Sequence, residues 1–119
     1  MSDLPIINRT ALEELRALDP DNPDAFLAEI INAYLNDTHQ RLSDLEQCMA
    51  AGDMISFIRA AHTIKGTSAN LGALSLRAAA EALEHTTRKD NIVPMELLEG
   101  VRSEFSKTEV ELKALLPSG

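Results

Sequence analysis

The sequence predicts an all-α fold: an antiparallel up-and-down four-helix bundle with a short N-terminal helix packed across one end. Three observations carry that expectation. Apolar residues recur at spacings of three and four in five successive segments, and no segment alternates in the manner of a strand. Leu, Ala and Ile supply most of the 45% of residues that are apolar, and aromatics are only 3%, a composition that suits helix better than sheet. Short connections join the four longer segments, so sequence neighbours must run antiparallel, each with one stripe to bury.

The first segment is short, about Thr10 to Leu18, with Leu12, Leu15 and Leu18 on one stripe. It ends at Asp19-Pro20, because the residue before a proline is pushed out of helical space. The second opens at Asn22-Pro23. Asn22 suits the N-cap, Pro23 the first helical position, and Asp24 adds an acid to the first turn. Leu27, Ile31, Tyr34, Thr38, Leu42, Leu45 and Met49 continue its stripe, and it runs to about Ala51 before Gly52. Asp53 caps the third, whose stripe is Met54, Phe57, Ala61, Ile64, Ser68 and Leu71, ending at Gly72. The fourth spans about Leu74 to Arg88 with Leu76, Ala79, Ala80 and Leu83 inward; Arg88 and Lys89 suit the negative end of its dipole. After a turn at Asn91 to Pro94, the fifth carries Leu98, Val101, Phe105, Thr108, Leu112 and Leu115. With 119 residues the chain reads as a single domain over 1–119, with 1–8 and 117–119 expected to be flexible ends.

Charge and composition narrow the function. A net charge of -8 repels phosphate backbones and argues against nucleic-acid binding. No apolar run is long enough to span a bilayer, and Met1 to Asn8 has neither the basic nor the apolar part of a signal peptide. Cys48 is the only cysteine, which points to a reducing cytoplasm, and its apolar neighbourhood makes it a small buried hydrophobe.

The informative stretch is Ala61 to Ala73, within and just beyond the third helix. At about 100° per residue, His62 lies at the edge of the buried stripe centred on Ala61, one side of its ring against protein and the other wet. Gly66 is one turn further on the same face. A glycine inside a helix costs roughly 1 kcal/mol relative to alanine, and cleared space beside the imidazole is a reason to bear that cost. Lys65, three residues after His62, can bring its ammonium near the ring, where it opposes protonation. From Met54 to Ala80 there is no Asp or Glu, while Arg59, Lys65 and Arg77 give that stretch a net +3. Such a face suits a group that carries about two negative charges, as a phosphoryl does. A neutral imidazole is the nucleophile that would accept it.

The stretch resembles the histidine phosphotransfer (HPt) family, whose hallmark is a helix reading His-x-x-Lys-Gly, often continuing through Ser, Asn and Gly-Ala. Here the hallmark is His62, Lys65 and Gly66, followed by Ser68, Asn70, Gly72 and Ala73; Thr67 stands where serine is frequent. The helix order agrees as well, over roughly Ala11 to Leu116. The resemblance implies that Nε2 of His62 accepts a phosphoryl group from a receiver aspartate and passes it to another. It also implies that Lys65 contacts the phosphoryl oxygens and that Gly66 leaves room for the partner. A further polar side chain is sometimes supplied by the second helix, with Gln40 and His39 as candidates. The expected partners are receiver domains of response regulators, a hybrid sensor kinase among their sources, docking on Ile55, Ile58, Arg59 and Ala69. The chain would be a phosphocarrier and not an enzyme, with no ATP site and no cofactor; the Mg2+ of the exchange is expected on the receiver.

Other readings remain beside this one. A bland helical interaction module explains the bundle but not the glycine one turn from an exposed histidine. A hydrolase with a histidine nucleophile would want a general acid near His62, and the acid-free stretch argues against one. A di-iron bundle needs Glu-x-x-His pairs, which the three histidines lack. His39 and His85 read as solvated surface residues, and Ser68 and Asn70 as backbone-bonding residues near the helix end. The sequence leaves open the cognate receivers, the direction of phosphoryl flow, the oligomeric state, and whether the chain is freestanding or a module of a hybrid kinase.

Overall fold

Residues 4–116 are described in the structure, a computed structural model. Five helices account for its regular structure: α1 (Arg9–Arg16), α2 (Pro23–Ala51), α3 (Met54–Leu71), α4 (Leu74–Asp90) and α5 (Met95–Lys113); no strand occurs among the described residues. Local chemistry sets most of the boundaries. The Asp53 carboxylate accepts from Ser56 N at 3.1 Å and so starts α3. Gly52 and Gly72 adopt the left-handed conformation (φ 70° and 88°) that ends α2 and α3. Asn91 does the same after α4 at φ 56°. Asn22 does precede α2, but its side chain makes no capping bond, so Pro23 alone marks that start.

The α3 helix packs on both α2 and α4, and α5 closes the bundle chiefly against α4, with a thinner seam to α2. The expected stripes point inward: Ile31 and Leu45 from α2, Phe57, Ala61 and Ile64 from α3, Leu76 and Leu83 from α4, Leu98, Val101 and Leu112 from α5 are all fully enclosed. Each large apolar side chain enclosed in this way contributes about 1.5–3 kcal/mol. Leu18 departs from expectation. It lies beyond α1 and is 70% exposed, because the helix stops at Arg16, ahead of the turn leading to Pro20.

Helix α1 lies across the end where α3 meets α4. Here residues expected to belong to a flexible end are tied down. Asn8 N donates to Gly72 O at 2.7 Å, Leu74 N donates to Ile6 O at 3.1 Å, and Ile7 is buried. Residues 1–3 and 117–119 lie outside the described residues. Gly72 is required twice here, for its positive φ and because a Cβ would meet Ala11 Cβ at 2.7 Å. The opposite end of the bundle, at the α2–α3 and α4–α5 turns, has no such cover from α1. No helix among the described residues is long and apolar enough to cross a membrane.

Candidate functional site

Helix α3 carries His62 with its side chain 61% exposed, at the edge of the stripe that buries Ala61 and Ile64. Four residues later, a Cβ built on Gly66 meets nothing within 4 Å. The space at Gly66 is therefore open, with no side chain in contact distance of that position. Ile55, Ile58, Arg59, His62 and Arg88 line a shallow groove of about 420 Å³. Ile55 is 74% exposed, and Ala69, two turns beyond His62 on the same line of α3, is exposed as well.

The electrostatics differ from the sequence expectation in one decisive respect. The surroundings of His62 are free of acid in sequence but not in space. Glu84, from α4, reaches the site with its side chain only 4% exposed. Its Oε2 lies 2.8 Å from His62 Nδ1 and 3.0 Å from Arg88 Nη2; its Oε1 lies 2.9 Å from Lys65 Nζ. Burial pushes the Glu84 carboxyl up, but the hydrogen bonds from Lys65 and His62, together with their charges, outweigh it and hold the group below the usual carboxylate range. An ionised carboxylate only accepts, so Nδ1 of His62 is the donor and carries the ring proton. Nε2 makes no hydrogen bond among the described residues, and in the neutral form of a ring that donates from Nδ1 it is the unprotonated nitrogen.

Lys65 reaches the site by way of Glu84. It is 25% exposed and its ammonium is bound to Glu84, so it meets the imidazole through the shared carboxylate. The polar partner of the histidine comes from α4 and not from α2. Gln40 donates to Asp44 at 3.0 Å, and His39 Nε2 lies 2.7 Å from Glu109 Oε2 on α5, its ring edge-on to Phe105. His39 is thus a paired residue rather than a merely solvated one; His85 is exposed. Ser68 is structural as expected, but its partner is the Tyr34 hydroxyl at 2.8 Å, in the core, and Asn70 is exposed. Cys48 is half-buried against the core.

A signal for Glu84 existed in the sequence. It lies four residues after Ala80 and next to Leu83, on the inward side of α4. A carboxylate there needs cationic partners across the helix interface, and α3 offers His62 and Lys65. The acid-free window ended at Ala80, one turn short of it.

Fold and site together define an all-α domain in which the exposed ring of His62 is braced from behind by a buried carboxylate. The chain belongs to the Hpt domain family, whose family model matches residues 29–116. It is thus a histidine phosphotransfer domain of the phosphorelay type, a phosphocarrier by family. Among curated proteins it is similar to multistep phosphorelay regulator 1 of Schizosaccharomyces pombe (strain 972 / ATCC 24843), 25% identical over 85 residues. That match takes in 71% of this chain but only 29% of the relative's length. Among solved structures it resembles histidine-containing phosphotransfer protein B from Pseudomonas aeruginosa PAO1, with a TM-score of 0.82 and 25% identity over 94% of this chain and 95% of that one. A putative histidine-containing phosphotransfer protein from rice shares the fold at a TM-score of 0.78 and 15% identity, over 92% and 79% of the two chains. So does the HPT domain of a sensor hybrid histidine kinase from Shewanella, at 0.72 and 12%, over 92% of each.

Proposed function

We propose that His62 is the residue that carries the phosphoryl group, and that it does so on Nε2. The observation that carries this reading is the division of labour on the ring: Nδ1 is held by a buried carboxylate at 2.8 Å while the ring is 61% exposed. In the forward step the Nε2 lone pair attacks the phosphorus of a receiver's aspartyl phosphate. The N–P bond forms, the P–O bond breaks, and its electron pair leaves on the receiver's carboxylate. The Nδ1 proton stays in place, so the ring gains positive charge, which Glu84 stabilises across the same hydrogen bond. The return step to a second receiver reverses these movements. Glu84 acts as a positioning residue, fixing the tautomer and the ring's orientation.

Gly66 keeps the approach to the ring open in this reading, and Lys65 neutralises Glu84. Receivers dock along the outward line of α3, on Ile55, Ile58, Arg59 and Ala69, with the divalent ion belonging to the receiver. Ile55 and Ala69 stand seven residues to either side of His62, so a partner centred on the ring covers both. Receivers of a hybrid sensor kinase are among the candidates, and the single cysteine supports a cytoplasmic site of action. Transfer of radiolabel from a phosphorylated receiver tests the assignment. The parent takes up acid-labile label and His62→Ala takes up none, whereas label on the alanine variant would sink the assignment. Titration with a receiver should shift NMR resonances around His62 on α2 and α3, and weaken as salt rises; shifts confined to α5 would rule the docking face out.

A further inference from the structure

Glu84 holds two cations where one would balance its charge. Lys65 Nζ occupies Oε1 at 2.9 Å; Arg88 Nη2 occupies Oε2 at 3.0 Å, the oxygen that also serves His62 Nδ1. We infer that Arg88 is the cation that turns from Glu84 to the phosphoryl group once His62 is loaded, while Lys65 stays on the carboxylate. This rests on His62 being the carrier.

Three observations separate the two cations. The first is exposure: the Arg88 side chain is 64% exposed and that of Lys65 25%. The Arg88–Glu84 pair lies within one helix and is exposed on the arginine side alone, so Arg88 can leave it without itself being drawn out of a buried position. Releasing Lys65 would instead strip Oε1 of a nearly buried carboxylate of its partner. The second is access: Arg88 lines the groove that contains His62, together with Ile55, Ile58 and Arg59. The third is chemistry. A guanidinium presents five N–H donors in a planar fork, so Arg88 can grip phosphoryl oxygens in pairs where an ammonium acts as a point charge. When Arg88 leaves, Oε2 keeps the His62 bond and Oε1 keeps Lys65, so no buried oxygen loses its last partner. The dianionic phosphoryl supplies the stronger attraction that draws Arg88 across. Arg59 is the competing cation. It is exposed and lines the same groove, but it stands one turn N-terminal to His62 on α3 and outside the Glu84 cluster.

The test uses the whole chain loaded on His62 with phosphoramidate, a small donor that needs no receiver. Urea unfolding of the loaded and unloaded forms is compared for the parent, Arg88→Ala, Arg88→Lys, Lys65→Ala and Arg59→Ala. A contact made only in the folded, phosphorylated form appears as coupling between loading and the side chain. Removing Arg88 should erase a roughly threefold to tenfold gain in the folding equilibrium constant that loading gives the parent. Arg88→Lys should recover part of it, and Arg59→Ala should leave it in place. In NMR spectra of side-chain N–H groups, the Arg88 guanidinium signal should move on loading. Unloaded Arg88→Ala should melt within about 2 °C of the parent, since the residue is exposed. Equal loading effects in the parent and Arg88→Ala would overturn the inference, as would coupling that resides in Lys65 or Arg59 instead. Failure of the parent to load at His62 would overturn it together with the carrier assignment, and that result is visible before any Arg88 variant is compared.

Discussion

Two histidine–glutamate pairs cross the bundle, and they differ in which nitrogen is engaged. His62 on α3 gives Nδ1, the nitrogen nearer the backbone, to Glu84 of α4 at 2.8 Å. His39 on α2 gives Nε2, at the tip of the ring, to Glu109 of α5 at 2.7 Å, and packs its edge on Phe105. Both rings are more than half exposed, at 61% and 57%. Exposure therefore does not distinguish them. In the first pair the outward nitrogen makes no hydrogen bond among the described residues; in the second it is consumed by an interhelical contact. The carboxylates differ too, Glu84 being 4% exposed among three partners and Glu109 22% exposed, with Lys113 as its second. The first arrangement leaves the outer edge of the ring open, as the proposed carrier role requires, and the second clasps the thinner seam of the bundle.

The largest effect expected from breaking this contrast is on transfer rate. Glu84→Ala removes a hydrogen bond to a charged group and frees the ring to rotate and change tautomer. Phosphotransfer to His62 should fall by about tenfold to a hundredfold. Glu84→Gln keeps an acceptor for Nδ1 and should lose less, because only the charge is gone. Glu109→Ala should leave the rate unchanged. A time course with labelled receiver measures all three, and equal losses at Glu84 and Glu109 would erase the distinction drawn between the pairs.

A smaller effect should come from Gly66, where stability and function move in opposite directions. A Cβ there has open space, so Gly66→Ala should gain up to roughly 1 kcal/mol of helix stability. If the proposed role of Gly66 in keeping the approach to His62 open holds, transfer should slow in Gly66→Ala, and Gly66→Leu should slow it further with the bundle still folded. Thermal unfolding by circular dichroism alongside the transfer assay decides. Joint loss of stability and transfer would mean that the glycine serves packing.

The smallest contrast is in acid stability. Glu84 is held below its ordinary value of 4.5 because its hydrogen bonds from Lys65 and His62, with their charges, outweigh burial. Glu109 is lowered first by the hydrogen bond from His39, with help from Lys113. A carboxyl whose pKa is lower in the folded state stabilises the fold above its unfolded pKa. That contribution is lost as pH falls through the folded value. Both pairs therefore weaken the bundle below about pH 4.5. Urea unfolding across that range should show Glu84→Gln losing stability less steeply than the parent, and Glu109→Gln showing a weaker form of the same change, its carboxyl being more exposed. An unchanged acid slope in Glu84→Gln would mean that the buried cluster is not what titrates.

The bundle was legible because its information is local. Periodicity names the stripes, and Asp53, Gly52 and Gly72 mark the boundaries of α2 and α3. His62 and Gly66 were legible for a related reason, since their positions on one face follow from spacing within a single helix. What the sequence did not yield was the cross-helix chemistry. That Lys65 faces Glu84, that His39 meets Glu109 and that Ile6 and Asn8 bind the α3–α4 turn all depend on how helices pack side by side. An acid-free window along the chain is no guide to the charge around a residue when the next helix lies against it.

The nitrogen proposed to carry the phosphoryl group, Nε2 of His62, is the most direct point of test. Long-range 1H–15N spectra of the histidine rings, before and after loading with phosphoramidate, report the tautomer and the site of the new bond. His62 should rest with its proton on Nδ1 and, once loaded, show coupling from phosphorus to Nε2, with His39 and His85 unchanged. A resting proton on Nε2 of His62, or phosphorus on its Nδ1 or on either other histidine, would contradict the assignment.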